Sequence, residues 1–289
     1  DICFVYTVTD TQTAILQQGR CTDAQKAMEI LADHYGIASV NMGLEVARLE
    51  QAGQLIMKSP DKHVEQVAGQ GLDINSGITR NAQGIIPFSS DGVHPFTDTG
   101  HQLYLAAFIR AFNRMKSTGT AGSYPLPSPL HRQNWETAQL LALSRAHLSE
   151  AEQLHPATSP LCTQFAHLIP GLWRLPAGGR VKFQFAGTAI AFYDLLGPAG
   201  GMIQITLNDQ ATRQRRFDPY CSWPRLAPLW IGDQLPDRPH TVTVDVLPEP
   251  FDKRSLLFEE SRQDFDQHPE KYADFSWHAA AILLVGELL

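Results

Sequence analysis

The sequence predicts two folds in one chain: an α/β unit over residues 1–117 and an all-β sandwich over residues 131–289. Three observations predict this. Up to about residue 115, short apolar runs alternate with runs of helical period, the order expected of strands and helices stacked in layers. Beyond about residue 130 the period drops to two, punctuated by Gly-Pro, Gly-Gly, Asn-Asp and Arg-Pro pairs, as in a sandwich of short strands. Between them the stretch KSTGTAGSYPLPSPL, from Lys116 to Leu130, has the Gly, Ser and Pro content of a connector, and a linker is placed at 118–130.

Each element follows from its own residues. Ile2 to Val8 is almost wholly apolar and β-rich, as in a buried parallel strand. Thr22 to Tyr35 places Ala27, Ile30 and Leu31 near one helical face, with Thr22 or Asp23 as N-cap and Gly36 as stop. Ile37 to Met42 reads as a second strand, Leu44 to Gln51 as a helix ended by Gly53, and 100–115 as a further helix. In the second part Arg180 to Phe185, Thr188 to Leu196, Met202 to Leu207, His240 to Leu247 and Ala279 to Val285 are the strand candidates. A helical insert is expected from about Glu259 to Tyr272. Two strands are too few for an open sheet, and the chain starts inside one of them. Further strands are therefore expected before Asp1, and with them an exposed apolar sheet edge in this chain.

Bulk properties narrow the function. The 289 residues carry a net charge of −7 and no Lys/Arg cluster, which argues against nucleic acid as a partner. No apolar run approaches the ~20 residues of a membrane span. Cys3, Cys21, Cys162 and Cys221 form no C-x-x-C pair, so zinc and dithiol redox chemistry are not indicated. Cys3, in an apolar run, is expected to be a buried free thiol.

The chemistry concentrates in Asp91-Gly92-Val93-His94-Pro95. An Asp three residues before a His, in a tight loop leading into a helix, is an economical base half of a hydrolytic triad. His94 would take a proton from a nucleophile, while Asp91 fixes the imidazole tautomer. The plain alternatives are a turn Asp before Gly92 and a surface His. Ser89 and Ser90 lie too close in sequence to present a hydroxyl to the working face of His94. His101 and Asp98, with the Asp91/His94 pair, also have the composition of a metal cluster, but the triad reading uses the same residues without a further ligand.

With these residues in view, the first part resembles the C-terminal half of an SGNH/GDSL hydrolase. D-x-x-H, here Asp91 to His94, is that family's last sequence block. The strand from Asp1 to Val8 is similar to the one leading into its third block. There the family places G-x-N-D, and this chain has Thr7-Val8-Thr9-Asp10. Thr9 stands where the Asn that donates to the oxyanion would be, and the Gly is absent. The blocks carrying the nucleophilic Ser and the second oxyanion donor would precede Asp1. The resemblance covers roughly residues 1–115 and extends less specifically to SGNH esterases with a jelly-roll-like accessory domain. It implies a flavodoxin-like α/β fold and a serine esterase acting on acyl or acetyl esters, of small molecules or glycans. His94 and Asp91 would be catalytic, Thr9 an oxyanion contact and Asn41 a substrate contact at a strand end. It implies no metal or organic cofactor, and is compatible with a secreted or periplasmic location. Lacking its Ser block, the chain as given is expected to be inactive.

The alternative is a non-catalytic, carbohydrate-binding protein on a degenerate hydrolase scaffold, favoured by Thr9 and by the missing Ser. In the second part Trp173, Tyr193, Trp223, Trp230 and Trp277 are either sandwich core or sugar-stacking platforms. Trp223 and Trp230 lead as platforms because they lie in a Pro-rich segment. The oligomeric state is open.

Overall fold

A computed structural model describes residues 2–60, 77–118 and 122–289. It divides into two compact units, Asp1–Arg132 and Gln133–Leu289.

The first unit runs β1 (Cys3–Tyr6), α1 (Asp10–Gln17), α2 (Asp23–Tyr35), β2 (Ala38–Asn41), α3 (Gly43–Gln51), β3 (Leu55–Lys58), β4 (Ile86–Ser89) and α4 (Gly100–Thr118). β1 pairs in parallel with β2, and β3 with β4. Thr22 caps α2 by accepting from the Gln25 N–H at 3.2 Å, while the Gln25 side chain accepts from the Thr22 N–H at 3.1 Å. Val8, Leu16, Val46, Leu49, Leu55, Ile86, Phe88 and Leu103 form the core.

Two expectations are corrected here. β1 is not a wholly buried strand: Ile2 is 68% exposed, Val5 is exposed as well, and the free Cys3 thiol is only half-buried. β1 has a single strand partner, β2, among the described residues. The count of two strands was also too low. β3 and β4 are four residues each, and Lys58 and Pro87 interrupt their apolar pattern. The lone Pro in β4 and the charge in β3 hide strands that the burial of Leu55, Met57, Ile86 and Phe88 makes plain.

The second unit is a single hydrogen-bonded antiparallel network of ten strands, consistent with a β-sandwich domain. It comprises β5 (Ala138–Ala142), β6 (His147–Ser149), β7 (Glu152–Leu154), α5 (Pro160–Phe165), β8 (Leu172–Leu175), β9 (Arg180–Leu196), β10 (Met202–Leu207), β11 (Gln210–Arg215), β12 (Arg225–Gly232), β13 (Arg238–Leu247), α6 (Lys253–Leu256), α7 (Arg262–Gln267) and β14 (Trp277–Leu288). The order is β11-β10-β13-β9-β14-β8-β7, with β12 and β6 also on β9 and β5 on β14.

β9 joins two stretches that read as separate strands. Val181, Phe183 and Phe185 face the core at odd positions; Ile190, Phe192 and Asp194 are buried at even ones. The parity changes at a bulge: Gly187 faces Gly286 and Ala189 faces Val285, leaving Thr188 unpaired on that side. Trp277 is fully buried against Phe192, in T-shaped contact at 5.2 Å, so it is core and not a platform.

His278, on β14, is 8% exposed, and burial pushes its imidazole pKa down to about 4. The unfolded chain binds this proton near 6.5 and the folded one only near 4. Stability is therefore complete above pH 6.5 and declines as the pH falls toward 4, by roughly 2–3 kcal/mol. Urea denaturation at pH 7 and 4.5 is expected to show this slope. His278→Asn is expected to reduce it, leaving the smaller losses of Glu45, held below the ordinary 4.5, and of Asp10, Asp264 and Asp266, held below 3.8, as the pH falls.

Candidate functional site

The Asp91–His94 loop leaves the end of β4 and is held from three sides. Ser89, fully buried, donates its hydroxyl to the Met57 carbonyl of β3 at 2.8 Å and accepts from the Gly92 N–H at 2.7 Å. The Gly92 carbonyl accepts from the Asp10 N–H at the start of α1 (2.9 Å). Asp10 is paired with Lys58 at 2.6 Å, and the ammonium holds its carboxyl below the usual range. Sequence reading missed Ser89, Asp10 and Lys58 as supports. Only Asp10 carried a signal, as the last residue of the T-V-T-D stretch.

Within the loop Asp91 is used completely. Its Oδ1 accepts from the Val93 and His94 N–H groups at 2.8 Å each, and its Oδ2 accepts from His94 Nδ1 at 2.6 Å. The His94 side-chain bond and the two backbone N–H groups hold the Asp91 carboxyl well below the ordinary carboxylate range. With Nδ1 engaged by the carboxylate, Nε2 is the ring nitrogen that remains to meet a ligand, on a side chain that is 84% exposed. Asp91 thus fixes both the loop backbone and the orientation of the His94 ring.

Gly92 adopts φ +84°, and a Cβ there would lie 2.7 Å from both Asp10 Cγ and Lys58 Cε. Gly92→Ala is expected to destabilise the first unit by about 1–3 kcal/mol through backbone strain and displacement of the Asp10–Lys58 pair. Thermal denaturation measures this.

Beside the loop lies an open cleft of about 380 Å³ at the carboxyl ends of β1 and β2, where open parallel sheets bind ligands. Thr7, Met42, Val93, Pro95, His101 and Tyr104 line it. Tyr104 fixes its floor, accepting from the Val8 N–H at 3.0 Å and donating to the Val8 carbonyl at 3.2 Å. Thr9 lies one residue from the Asp10–Gly92 bond. Its N–H donates to the Gln12 side chain at 3.2 Å, and its hydroxyl shares a 3.0 Å bond with that of Thr11. Asn41 does not line the cleft; its Oδ1 accepts from the Gly43 N–H at 3.0 Å at the start of α3. His101 does line it, and stands edge-on to Tyr104. Among the described residues no three His, Cys, Asp or Glu side chains are grouped to hold a metal ion, and no helix is long and apolar enough to cross a membrane.

No protein-family model and no curated protein sequence matches the chain. Solved structures do. One is a two-domain esterase active on acetylated mannans, co-crystallised with mannopentaose. It shares 15% identity and a TM-score of 0.60, over 99% of this chain and 62% of its own. Another structure, also described as a two-domain esterase active on acetylated mannans, superposes with a TM-score of 0.62 and 15% identity, over 99% of this chain and 63% of that one. At this identity the likeness is one of fold: an esterase-type architecture with an additional β-rich domain. This chain spans somewhat under two thirds of the length of those structures.

Proposed function

We propose that the first unit supplies the general base of an SGNH-type serine esterase that removes acyl or acetyl groups from carbohydrate. The observation that carries this is the 2.6 Å bond from His94 Nδ1 to an Asp91 carboxylate whose other oxygen is tied to two backbone N–H groups. The flavodoxin-like arrangement, the oxyanion role of Thr9 and the substrate role of Asn41 belong to the same proposal. Carbohydrate as the substrate class is supported by fold likeness to esterases active on acetylated mannans.

In this reading a Ser hydroxyl attacks the ester carbonyl as His94 Nε2 takes its proton. The tetrahedral intermediate collapses, and His94 returns the proton to the departing sugar hydroxyl. Water, deprotonated by His94, then attacks the acyl-enzyme, releasing the carboxylic acid and the Ser. Ser89 is not that nucleophile, since its hydroxyl is buried and held between Met57 and Gly92.

The second reading, a glycan-binding protein on a decayed scaffold, is favoured by Thr9 in the Asn position. Acetate release from acetylated mannan separates the two. The esterase reading expects turnover that His94→Ala abolishes. Absence of turnover, with retained binding of the polysaccharide, would favour the second reading.

A further inference from the structure

We propose that the Gln133–Leu289 unit binds a neutral glycan chain across an outer face formed by Trp135, Trp230 and the groove beside Asp237 and Glu287. The inference rests on the second unit alone and stands whether or not the esterase reading holds.

Trp230 lies on β12 next to the fully buried Leu229, so strand alternation turns its indole outward, where it is 52% exposed. Trp135, in the irregular segment before β5, is 49% exposed and packs on it, with ring centroids 5.2 Å apart and planes at 34°. Single exposed aromatics are ordinary; a packed pair at the surface is a large apolar area left uncovered. The register extends it. Trp230 is opposite Ala191 on β9, Ala191 opposite Leu283 on β14, and Leu283 opposite Leu140 on β5, which is 45% exposed. Residues directly opposite share a face; Ala191 is itself covered, and the apolar surface beside the indoles is that of the half-buried Leu283 and the exposed Leu140.

A groove of about 360 Å³ lies further along the same strands, lined by Thr137, Gln139, Asp237 and Glu287 over a floor of Ala186 and Gly286. Trp135 connects to it directly: its carbonyl accepts from the N–H of Ala138, the residue between Thr137 and Gln139. Gly187 and Gly286 let the floor close, since a Cβ on either would collide with a carbonyl of the opposite strand, Val285 or Ala186. From Ala191, beneath Trp230, to Ala186 is five residues of β9, roughly 16 Å at about 3.3 Å per residue. A ligand that reaches both features is a chain of several sugars.

The composition selects the ligand class. Indole faces take the C–H faces of pyranose rings, and carboxylate, amide and hydroxyl side chains take the ring hydroxyls. Asp237 and Glu287, with no Lys or Arg in the lining, disfavour uronic acids and sulfated sugars. A second exposed aromatic cluster of this unit, Tyr220, Trp223 and Phe258, is already occupied. Arg225 lies over Tyr220 and Trp223 at 5.2 and 5.3 Å and is paired with Asp218 at 2.6 Å.

Calorimetric titration of the full chain with mannohexaose, cellohexaose, xylohexaose and, as anionic control, hexagalacturonate tests the proposal. Binding of at least one neutral hexaose and not of the control is expected. Trp230→Ala and Trp135→Ala are each expected to weaken it about tenfold or more, about 1.4 kcal/mol, while Trp223→Ala leaves it unchanged. Trp135 lies outside every strand, so its variant remains informative if Trp230→Ala misfolds. No binding of any neutral hexaose, or binding that both Trp variants retain, would overturn the proposal. So would a dimer in solution that Trp230→Ala dissociates.

Discussion

Replacing His94 by Ala is expected to reduce ester turnover by roughly 10⁴-fold in the protein as its gene encodes it, with folding stability changed by less than about 0.5 kcal/mol. The asymmetry follows from the geometry. The His94 side chain is 84% exposed and its ring bond is to Asp91, so the core does not notice its removal. In the proposed mechanism the chemical step loses the group that carries the proton. Asp91→Asn is expected to lower kcat with little effect on KM. The Asn oxygen still accepts from the Val93 and His94 N–H groups, but the amide cannot hold His94 Nδ1–H as a carboxylate does. Steady-state kinetics on 4-nitrophenyl acetate, beside urea denaturation of each variant, gives both numbers. A His94→Ala protein that turns over normally would assign the pair a structural role.

Asp194→Ala is expected to cost about 3–5 kcal/mol in the second unit, enough to leave it substantially unfolded at a typical domain stability. Asp194 is completely buried within the sheet. It accepts from Arg216 Nε and Nη2 at 2.7 Å each and from Trp277 Nε1 at 2.8 Å. Its removal strands a guanidinium whose side chain is 5% exposed, together with a buried indole N–H. Removing both charges, as Asp194→Leu with Arg216→Met, is expected to cost much less than Asp194→Ala, since no uncompensated ion remains. Chemical denaturation of the three proteins tests this; equal losses in the single and double variants would show that the network acts through shape and not through charge.

The order of elements was legible because it rests on local signals: the Thr22 cap, the Gly36 stop and the β13 alternation of Val242, Val244 and Val246 with Thr241, Thr243 and Asp245. The apolar Ala279–Val285 stretch was legible too, as the middle of β14. What was not legible depends on distant partners. β3 and β4 are strands because they pair with each other and bury Leu55 and Phe88, which no pattern within four residues reveals. Arg180–Phe185 and Thr188–Leu196 read as two strands because an unpaired Thr188 shifts the period by one. The buried Arg216–Asp194 pair likewise joins residues 22 apart in sequence with no motif between them. At the candidate site the D-x-x-H spacing announced Asp91 and His94. The brace of Ser89, Asp10 and Lys58 stayed hidden because it gathers residues from β4, α1 and β3, which only the fold brings together.

In the proposed function His94 activates a serine. Labelling the protein as its gene encodes it with a fluorophosphonate, followed by peptide mass spectrometry, tests this directly. A single labelled Ser is expected, with labelling abolished by His94→Ala. No labelled Ser, or a label that His94→Ala leaves intact, would contradict it.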